Sequence, residues 1–348
     1  MRIGIYALAK DESKHADAWA EATAEADVRV VTDTGSTDDT VEILEAAGVC
    51  VSSSWIVPWR WDVAWTQALC NLPSSVDVAF RIDLDERPQP GWRDAIEEAW
   101  DGTANNLTYR YVWSFASDGS PGLVFPCDRV HARSGFWWRQ ATHEGLLCWS
   151  EQKKQKWCPG LEVHHHRDKD KVHETDMTLL RVAVRESPAD ARARWYLARE
   201  MDYAGMPEAA SEFASYLKMA GGSSTERAYA LRRLASLTGV EQHLHAAARE
   251  APAEPDSWER LALARHHAGD IDGSLGFALK AVAAGTTTHT TDPQAKARAH
   301  ELASIALWQL GRRGDAVPHA ESAARGLPWD ELIAANATAM AEAAGEPT

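Results

Sequence analysis

The sequence predicts an α/β unit built on a mainly parallel sheet, followed by an all-α unit of helical repeats. Three observations predict it. Through residues 1–170, short apolar runs alternate with stretches of helical composition, the pattern of strands joined by crossover helices. Two of those runs end in Asp-rich turns. Near His173 the texture changes to Ala, Leu, Arg and Glu with helical periodicity and little β signal, which sets the expected domains at 1–172 and 173–345. A chain of 348 residues suits about two domains.

The elements follow in order. Residues 2–8 form the first strand candidate and 28–32 (VRVVT) the second, with 49–52 a weaker third. Residues 76–82 (VDVAFRI) make a fourth that runs into Asp83. Residues 14–26 and 40–47 between them have helical composition, and 106–115 and 160–166 read as later strands. In the second half, Leu197 and Gly205 recur as Leu231 and Gly239, 34 residues on, then as Leu261 and Gly269, 30 further. Leu302 and Gly311 close the series after a Thr-rich loop at 286–291. A helix–Gly turn–helix unit of about 34 residues has the tetratricopeptide period, and such hairpins bury their apolar stripes by stacking. A generic helical bundle is the alternative.

Composition narrows the function classes. Lys and Arg total 36 and Asp and Glu 51, a net charge of −15, which argues against holding nucleic acid by bulk charge. The chain is 45% hydrophobic and 25% charged, an ordinary globular balance. No run approaches the ~20 apolar residues that span a bilayer, and residues 3–9 read as a buried strand rather than a signal peptide. Five scattered cysteines suggest no disulfide framework, so a cytoplasmic setting is expected.

Two motifs sit where strands end. The first, from Val30 to Thr40, runs from a strand into Asp33, a tight turn at Gly35, and a helix that Asp39 or Thr37 can cap. A carboxylate at that edge can accept a hydrogen bond from a nucleobase; a plain capped turn is the alternative. The second, Arg81-Ile82-Asp83-Leu84-Asp85-Glu86, closes the fourth strand. If extended, Asp83 and Asp85 point the same way, and two such carboxylates suit a divalent cation bridging to phosphates. A third cluster, His164-His165-His166, could complete a Mn-type site. Zinc held by Cys148, Cys158 and two histidines, or a merely polar surface, are the competing readings. Trp55, Trp59, Trp61 and Trp65 suit either a sugar or peptide face or core packing. Arg129, Arg133 and Arg139 suit phosphate or solvent, and Lys153, Lys154 and Lys156 a solvated turn or a lid.

Taken together, VVTDTGSTDDTVEILEAAG, IDLDE, THE and a strand ending in His resemble the family-2 glycosyltransferases of GT-A fold. The opening ALAKDES resembles that family's Lys-Asn-Glu, with Asp11 in the Asn place. The helical tail is similar to that of the subgroup that includes sublancin-type peptide glycosyltransferases. The resemblance implies a metal-dependent, inverting transfer from a nucleotide-sugar donor, with UDP the expected carrier, to a polypeptide Ser, Thr or Cys. It implies donor contacts from Lys10, Glu12, Asp33, Arg81 and Asp83. It also implies Mn2+ or Mg2+ on Asp85, Asp83 and His165, with His164 and His166 as register alternatives, and the His143-Glu144 pair at the catalytic centre with Glu144 as base. The family's Arg-Asn pair is missing from the region that reads WDVAWTQ. Other acceptors (a glycan or a small molecule), a decayed scaffold and a homodimer through the tail are further expectations.

Overall fold

A computed structural model describes residues 1–115, 119–149, 153–166, 177–285 and 291–345. The chain divides into two compact units, Met1–Glu186 and Ser187–Thr348. The expected boundary at 172/173, and all of the 286–291 loop but Thr291, lie outside the described residues.

The first unit is α/β. Its strands are β1 (Ile3–Ala9), β2 (Val28–Asp33), β3 (Cys50–Ser53), β4 (Val78–Arg81), β5 (Glu86–Pro88), β6 (Asn106–Val112), β7 (Val124–Ala132), β8 (Phe136–Arg139), β9 (Gly145–Cys148) and β10 (Gln155–His165). Its helices are α1 (Ser13–Ala22), α2 (Thr40–Ala46), α3 (Trp61–Asn71), α4 (Trp92–Ala99) and α5 (Met177–Glu186). Eight strands form one mixed sheet in the order β3-β2-β1-β4-β7-β6-β10-β5, and β8 pairs with β9. The run from β3 to β4 is wholly parallel, while β7 and β5 enter antiparallel.

Period-2 alternation builds the core on both faces. Ile3, Ile5 and Ala7 of β1 join Val78 and Phe80 of β4 on one face, against Trp19 of α1 and Trp92 and Ile96 of α4. Tyr6 and Ala79 turn to the other face, against Trp65, Ala68 and Leu69 of α3 and Trp138 of β8. Strands buried on both faces read as continuous apolar runs, which is why β1, β2 and β4 are visible in the sequence. Trp19 also donates from Nε1 to the carbonyl of Ile82 at 3.1 Å, tying α1 to the chain that leaves β4.

The second unit is all helix: α6 (Ala191–Tyr203), α7 (Ala209–Leu217), α8 (Ser224–Thr238), α9 (Gln242–Glu250), α10 (Pro255–His267), α11 (Ile271–Ala283), α12 (Ala295–Gln309), α13 (Arg313–Gly326) and α14 (Glu331–Gly345). Gly205, Gly239, Gly269 and Gly311 follow α6, α8, α10 and α12 with φ of 66°, 71°, 74° and 75°. This left-handed helix terminus favours glycine, so the residues that mark the repeat in sequence are those that end the first helix of each hairpin. Leu197, Leu261 and Leu302 are buried, as their repeat positions require. Among the described residues, no helix is long and apolar enough to cross a membrane.

Candidate functional site

Connectivity locates the site before any side chain is chosen. From β1 the chain winds to β2 and β3 on one side, then to β4 on the other. In such a sheet the crevice beyond the carboxyl ends of the strands at the reversal is where ligands bind. Lys10 follows β1, Asp33 ends β2 and Asp83 lies two residues past β4, so three expected donor-binding residues share that edge.

The loops after β1 and β2 are clasped together. Asp11 accepts from Thr37 N–H through Oδ1 at 2.7 Å, and Ser36 Oγ accepts from Asp11 N–H at 2.9 Å. Thr40 Oγ1 accepts from Glu12 N–H at 2.8 Å. Asp39 occupies the N-cap position of α2 without a side-chain cap bond, and Thr37 bonds to Asp11 instead. The role expected of them falls to Asp38, which accepts from Thr40 N–H at 3.1 Å and from Ser13 N–H at 3.1 Å. Burial alone would raise the Asp38 carboxyl; the side chains of Thr40 and Ser13, together with these two N–H groups, outweigh it and hold it at about 2. Asp33 is 5% exposed and accepts from Gly35 N–H at 3.0 Å and Ser36 N–H at 3.1 Å. A carboxylate has about four lone-pair positions, so this turn leaves Asp33 capacity for a ligand's donor. Lys10 is exposed and Glu12 half-buried at the start of α1.

Arg81 organises the next layer. Its guanidinium lies 3.5 Å from the centre of the Trp65 ring and 4.6 Å from that of Trp138. It donates from Nε to Asp83 at 3.1 Å and from Nη1 to Glu144 at 2.7 Å. Burial opposes the Arg81 charge, but Asp83 and Glu144 outweigh it and raise its pKa. On its far side Asp83 lies 3.5 Å from Arg129 of β7. Burial would push the Asp83 carboxyl up; the two guanidiniums hold it below its ordinary value. Arg129 also donates to Glu86 at 2.7 Å, and the Tyr111 hydroxyl donates to the same Glu86 oxygen at 2.5 Å. Glu86, 1% exposed, accepts the Asp83 N–H at 2.9 Å, and burial raises its pKa.

Asp83 and Asp85 do not address one point through an extended segment. Residues 83–86 form a turn closed by Glu86 N–H on Asp83 C=O at 2.9 Å. Asp83 therefore turns to the arginines, while Asp85 lies 3.2 Å from His165 Nε2. The antiparallel pairing of β10 with β5, His165 opposite Glu86, gives His165 that position. His164 bonds instead to Glu162 at 2.5 Å, and His166 meets Asp85 through its backbone N–H. His165 is 6% exposed and stacked on Trp113, with ring centres 4.4 Å apart. Its Nδ1 faces the carbonyl oxygen of Trp113 at 3.1 Å. A carbonyl only accepts, so Nδ1 carries the hydrogen and Nε2 meets the Asp85 oxygen with either a proton or a bare lone pair. Burial disfavours the proton, yet Asp85 and the carbonyl outweigh it and raise the His165 pKa.

That donor set fits a divalent cation. An imidazole whose second nitrogen is fixed by a carbonyl, facing a carboxylate, is an ordinary metal-ligand arrangement. Among the described residues, no group of three or more His, Cys, Asp or Glu could hold a metal by itself. A two-ligand pair accords with cations that take their remaining ligands from substrate phosphates and water. The zinc alternative has no such pair: Cys158 lies in the core on one face of the sheet, and Cys148 packs against the core on the other.

Glu144 and His143 lie in the turn between β8 and β9, where Gln140 and His143 take φ of 86° and 52°. With Asp11 (φ 54°), these are the non-glycine residues of positive φ among the described residues, and all three lie in the loops that carry expected site residues. Such backbone costs about 1–3 kcal/mol each and clusters at functional sites. Sequence reading missed this signal, and it missed Trp113 and the structural roles of Glu86 and Tyr111. The basic run is not a free loop: Lys153 pairs with Asp128, and Lys156, on β10, with Asp101 at 2.7 Å. Arg133 caps the end of α3 through the carbonyls of Leu72 and Cys70. Of the clustered tryptophans, Trp65 is core, while Trp55 and Trp61 are exposed.

No family model matches the chain, and no curated protein matches it. Solved structures with similar portions include MamA (17% identity, 44% of this chain and 81% of that one, TM-score 0.33). A glucosyl-3-phosphoglycerate synthase from Mycobacterium tuberculosis, solved with Mn2+, UDP and glucosyl-3-phosphoglycerate, is 23% identical over 32% of this chain and 44% of that one, with a TM-score of 0.27. The Cut9–Hcn1 assembly of the APC/C is 12% identical over 49% of this chain and 34% of that one, with a TM-score of 0.39. Likenesses of this size establish no shared reaction.

Proposed function

We propose that the protein transfers a sugar from a nucleotide-sugar donor, UDP-linked, to a polypeptide hydroxyl or thiol. The observation that carries this reading is the convergence of Lys10, Asp33 and Asp83 at the strand-order reversal, beside the Asp85–His165 pair. In this reading Asp33 receives a nucleobase N–H and Lys10 meets the donor's charge. Asp85 and His165 would hold Mn2+ or Mg2+, which when bound offsets the charge that develops on the leaving diphosphate.

Arg81 fixes Asp83 and one oxygen of Glu144, leaving the other oxygen of Glu144 to take the acceptor's proton. The acceptor oxygen or sulfur then bonds to the sugar's C1 as the bond from C1 to the diphosphate oxygen breaks, and the electron pair leaves with the diphosphate. The helical-repeat unit supports a polypeptide acceptor, because stacked hairpins present extended surfaces.

Calorimetric titration with a panel of UDP-sugars, in Mn2+ and in chelator, tests the donor half on wild type and Asp85→Ala. Binding of one sugar that needs the metal and falls at least tenfold in the variant is the expected result. Failure of every UDP-sugar under both conditions would overturn the donor assignment.

A further inference from the structure

His165 is one half of the pair read above as the cation site, and one residue sets its orientation from two sides. β10 runs parallel to β6 with His164 level with Val112, so the next residue, His165, comes level with Trp113. The Trp113 ring lies against the imidazole, with centres 4.4 Å apart and planes 26° apart. The carbonyl of the same residue takes the Nδ1 hydrogen at 3.1 Å. Trp113 is itself held, since its N–H donates to the Leu123 carbonyl at 2.9 Å across the β6–β7 hairpin, and Ser114 Oγ accepts the Leu123 N–H at 3.0 Å.

The two contacts constrain different motions. A stacked face fixes the plane of the imidazole. A carbonyl on Nδ1 fixes its edge, because a half-turn about Cβ–Cγ would bring a carbon to the carbonyl and lose the hydrogen bond. With both in place, Nε2 is kept 3.2 Å from the Asp85 oxygen. Filling the core does not account for Trp113: Tyr111 beside it is 1% exposed and does that, while Trp113 stays at the rim, 36% exposed. The neighbouring histidine lacks the arrangement. His164 meets Phe115 edge-on, with planes 70° apart, and its Nε2 is engaged by Glu162.

We propose that Trp113 is a positioning residue of the cation site, which acts through His165 by holding the plane of its ring so that Nε2 stays aimed beside Asp85. The inference rests on the reading of Asp85 and His165 as the cation pair. A site that draws only two ligands from the chain depends on the aim of each, and groups that orient a metal-binding histidine commonly matter about 10- to 100-fold in metal affinity.

Titration of the full chain with Mn2+, followed by electron paramagnetic resonance of the free ion with and without UDP, tests this. Trp113→Leu, which keeps apolar bulk but has no flat face, should weaken Mn2+ about tenfold. Trp113→Phe, which keeps a face, should stay within about threefold of wild type. Because Trp113 acts through His165, Trp113→Leu should cost nothing further in a His165→Ala background, whereas a merely structural role would add there as it does in wild type. Trp113→Met, equally without a face, decides if Trp113→Leu misfolds in urea unfolding. A weakened His165→Ala beside an unaffected Trp113→Leu, an equal loss in Trp113→Phe, or additive losses in the double variant overturns the role of Trp113 and leaves the cation pair standing. Absence of Mn2+ binding to wild type, or no loss in His165→Ala, overturns the pair and this inference with it.

Discussion

Arg81 has its planar face against Trp65 and Trp138 and its edges on Asp83 and Glu144. Lysine keeps the charge but has no planar fork to stack and bridge. Arg81→Lys should therefore lower kcat/KM for the transfer by about 10- to 100-fold, read in steady-state kinetics. Arg81→Leu would take the arginine from Glu144 and leave Asp83 with Arg129 alone, and urea unfolding should show a loss on the order of 3 kcal/mol. Behind this group, Trp138 Nε1 donates to the Tyr6 hydroxyl at 3.0 Å, the hydroxyl lies 2.9 Å from His131 Nε2, and His131 Nδ1 lies 2.9 Å from the Ala132 carbonyl. The carbonyl fixes the hydrogen on Nδ1, so Nε2 accepts. Burial lowers the His131 pKa from 6.5 to about 4. Between those values the unfolded chain takes up a proton that the folded chain refuses. The stability involved is complete above pH 6.5 and is lost as pH falls toward 4, on the order of 3 kcal/mol. Unfolding midpoints across that window should slope less in His131→Gln than in wild type. The types and positions of Asp33, Asp83, Asp85, Glu144 and His165 were legible because each ends a patterned run or sits in a short motif. The partnership of Arg129 with Glu86 was not, because 43 residues of sequence separate them and only the antiparallel entry of β7 brings them together.

Among the elements, the strands buried on both faces announced themselves, and so did the hairpin glycines. Gly239 closes α8 at φ 71°, and an added Cβ would meet nothing within 4 Å. The penalty for Gly239→Ala is then conformational alone, about 1 kcal/mol, and a thermal melt should show a small, clean drop. Gly4 differs: a Cβ there would come within 2.9 Å of Leu72 and 3.0 Å of Val76, so Gly4→Ala should unfold earlier than Gly239→Ala in the same assay. β7 escaped sequence reading because Pro126, Asp128 and Arg129 break its apolar run, and β5 because it is three residues long. α3 escaped because its four apolar-facing positions are spread through a Trp-rich stretch that reads equally as a binding surface. The Asp83–Asp85 segment misled for a related reason: alternation implies an extended chain, and one backbone hydrogen bond made it a turn.

At the scale of the molecule, every residue assigned to the donor, from Lys10 to His165, belongs to the unit Met1–Glu186, which has core on both faces of its sheet. A fragment of residues 1–186 should bind the donor in Mn2+ within a few-fold of the full chain by calorimetry; loss of binding would tie donor recognition to the second unit. The division into an α/β part and a helical part was legible because a composition shift is a property of long windows, which local irregularity does not blur. The strand-order reversal was not legible, because it depends on which side of β1 each later strand joins. That reversal has an evolutionary consequence. The crevice beyond β1 and β4 is a product of winding, held open by backbone connectivity rather than by any particular side chain. Substitutions at the loop tips can therefore change what is recognised there without moving where recognition happens, which leaves ligand preference free to diverge among descendants of this chain while the scaffold stays constant.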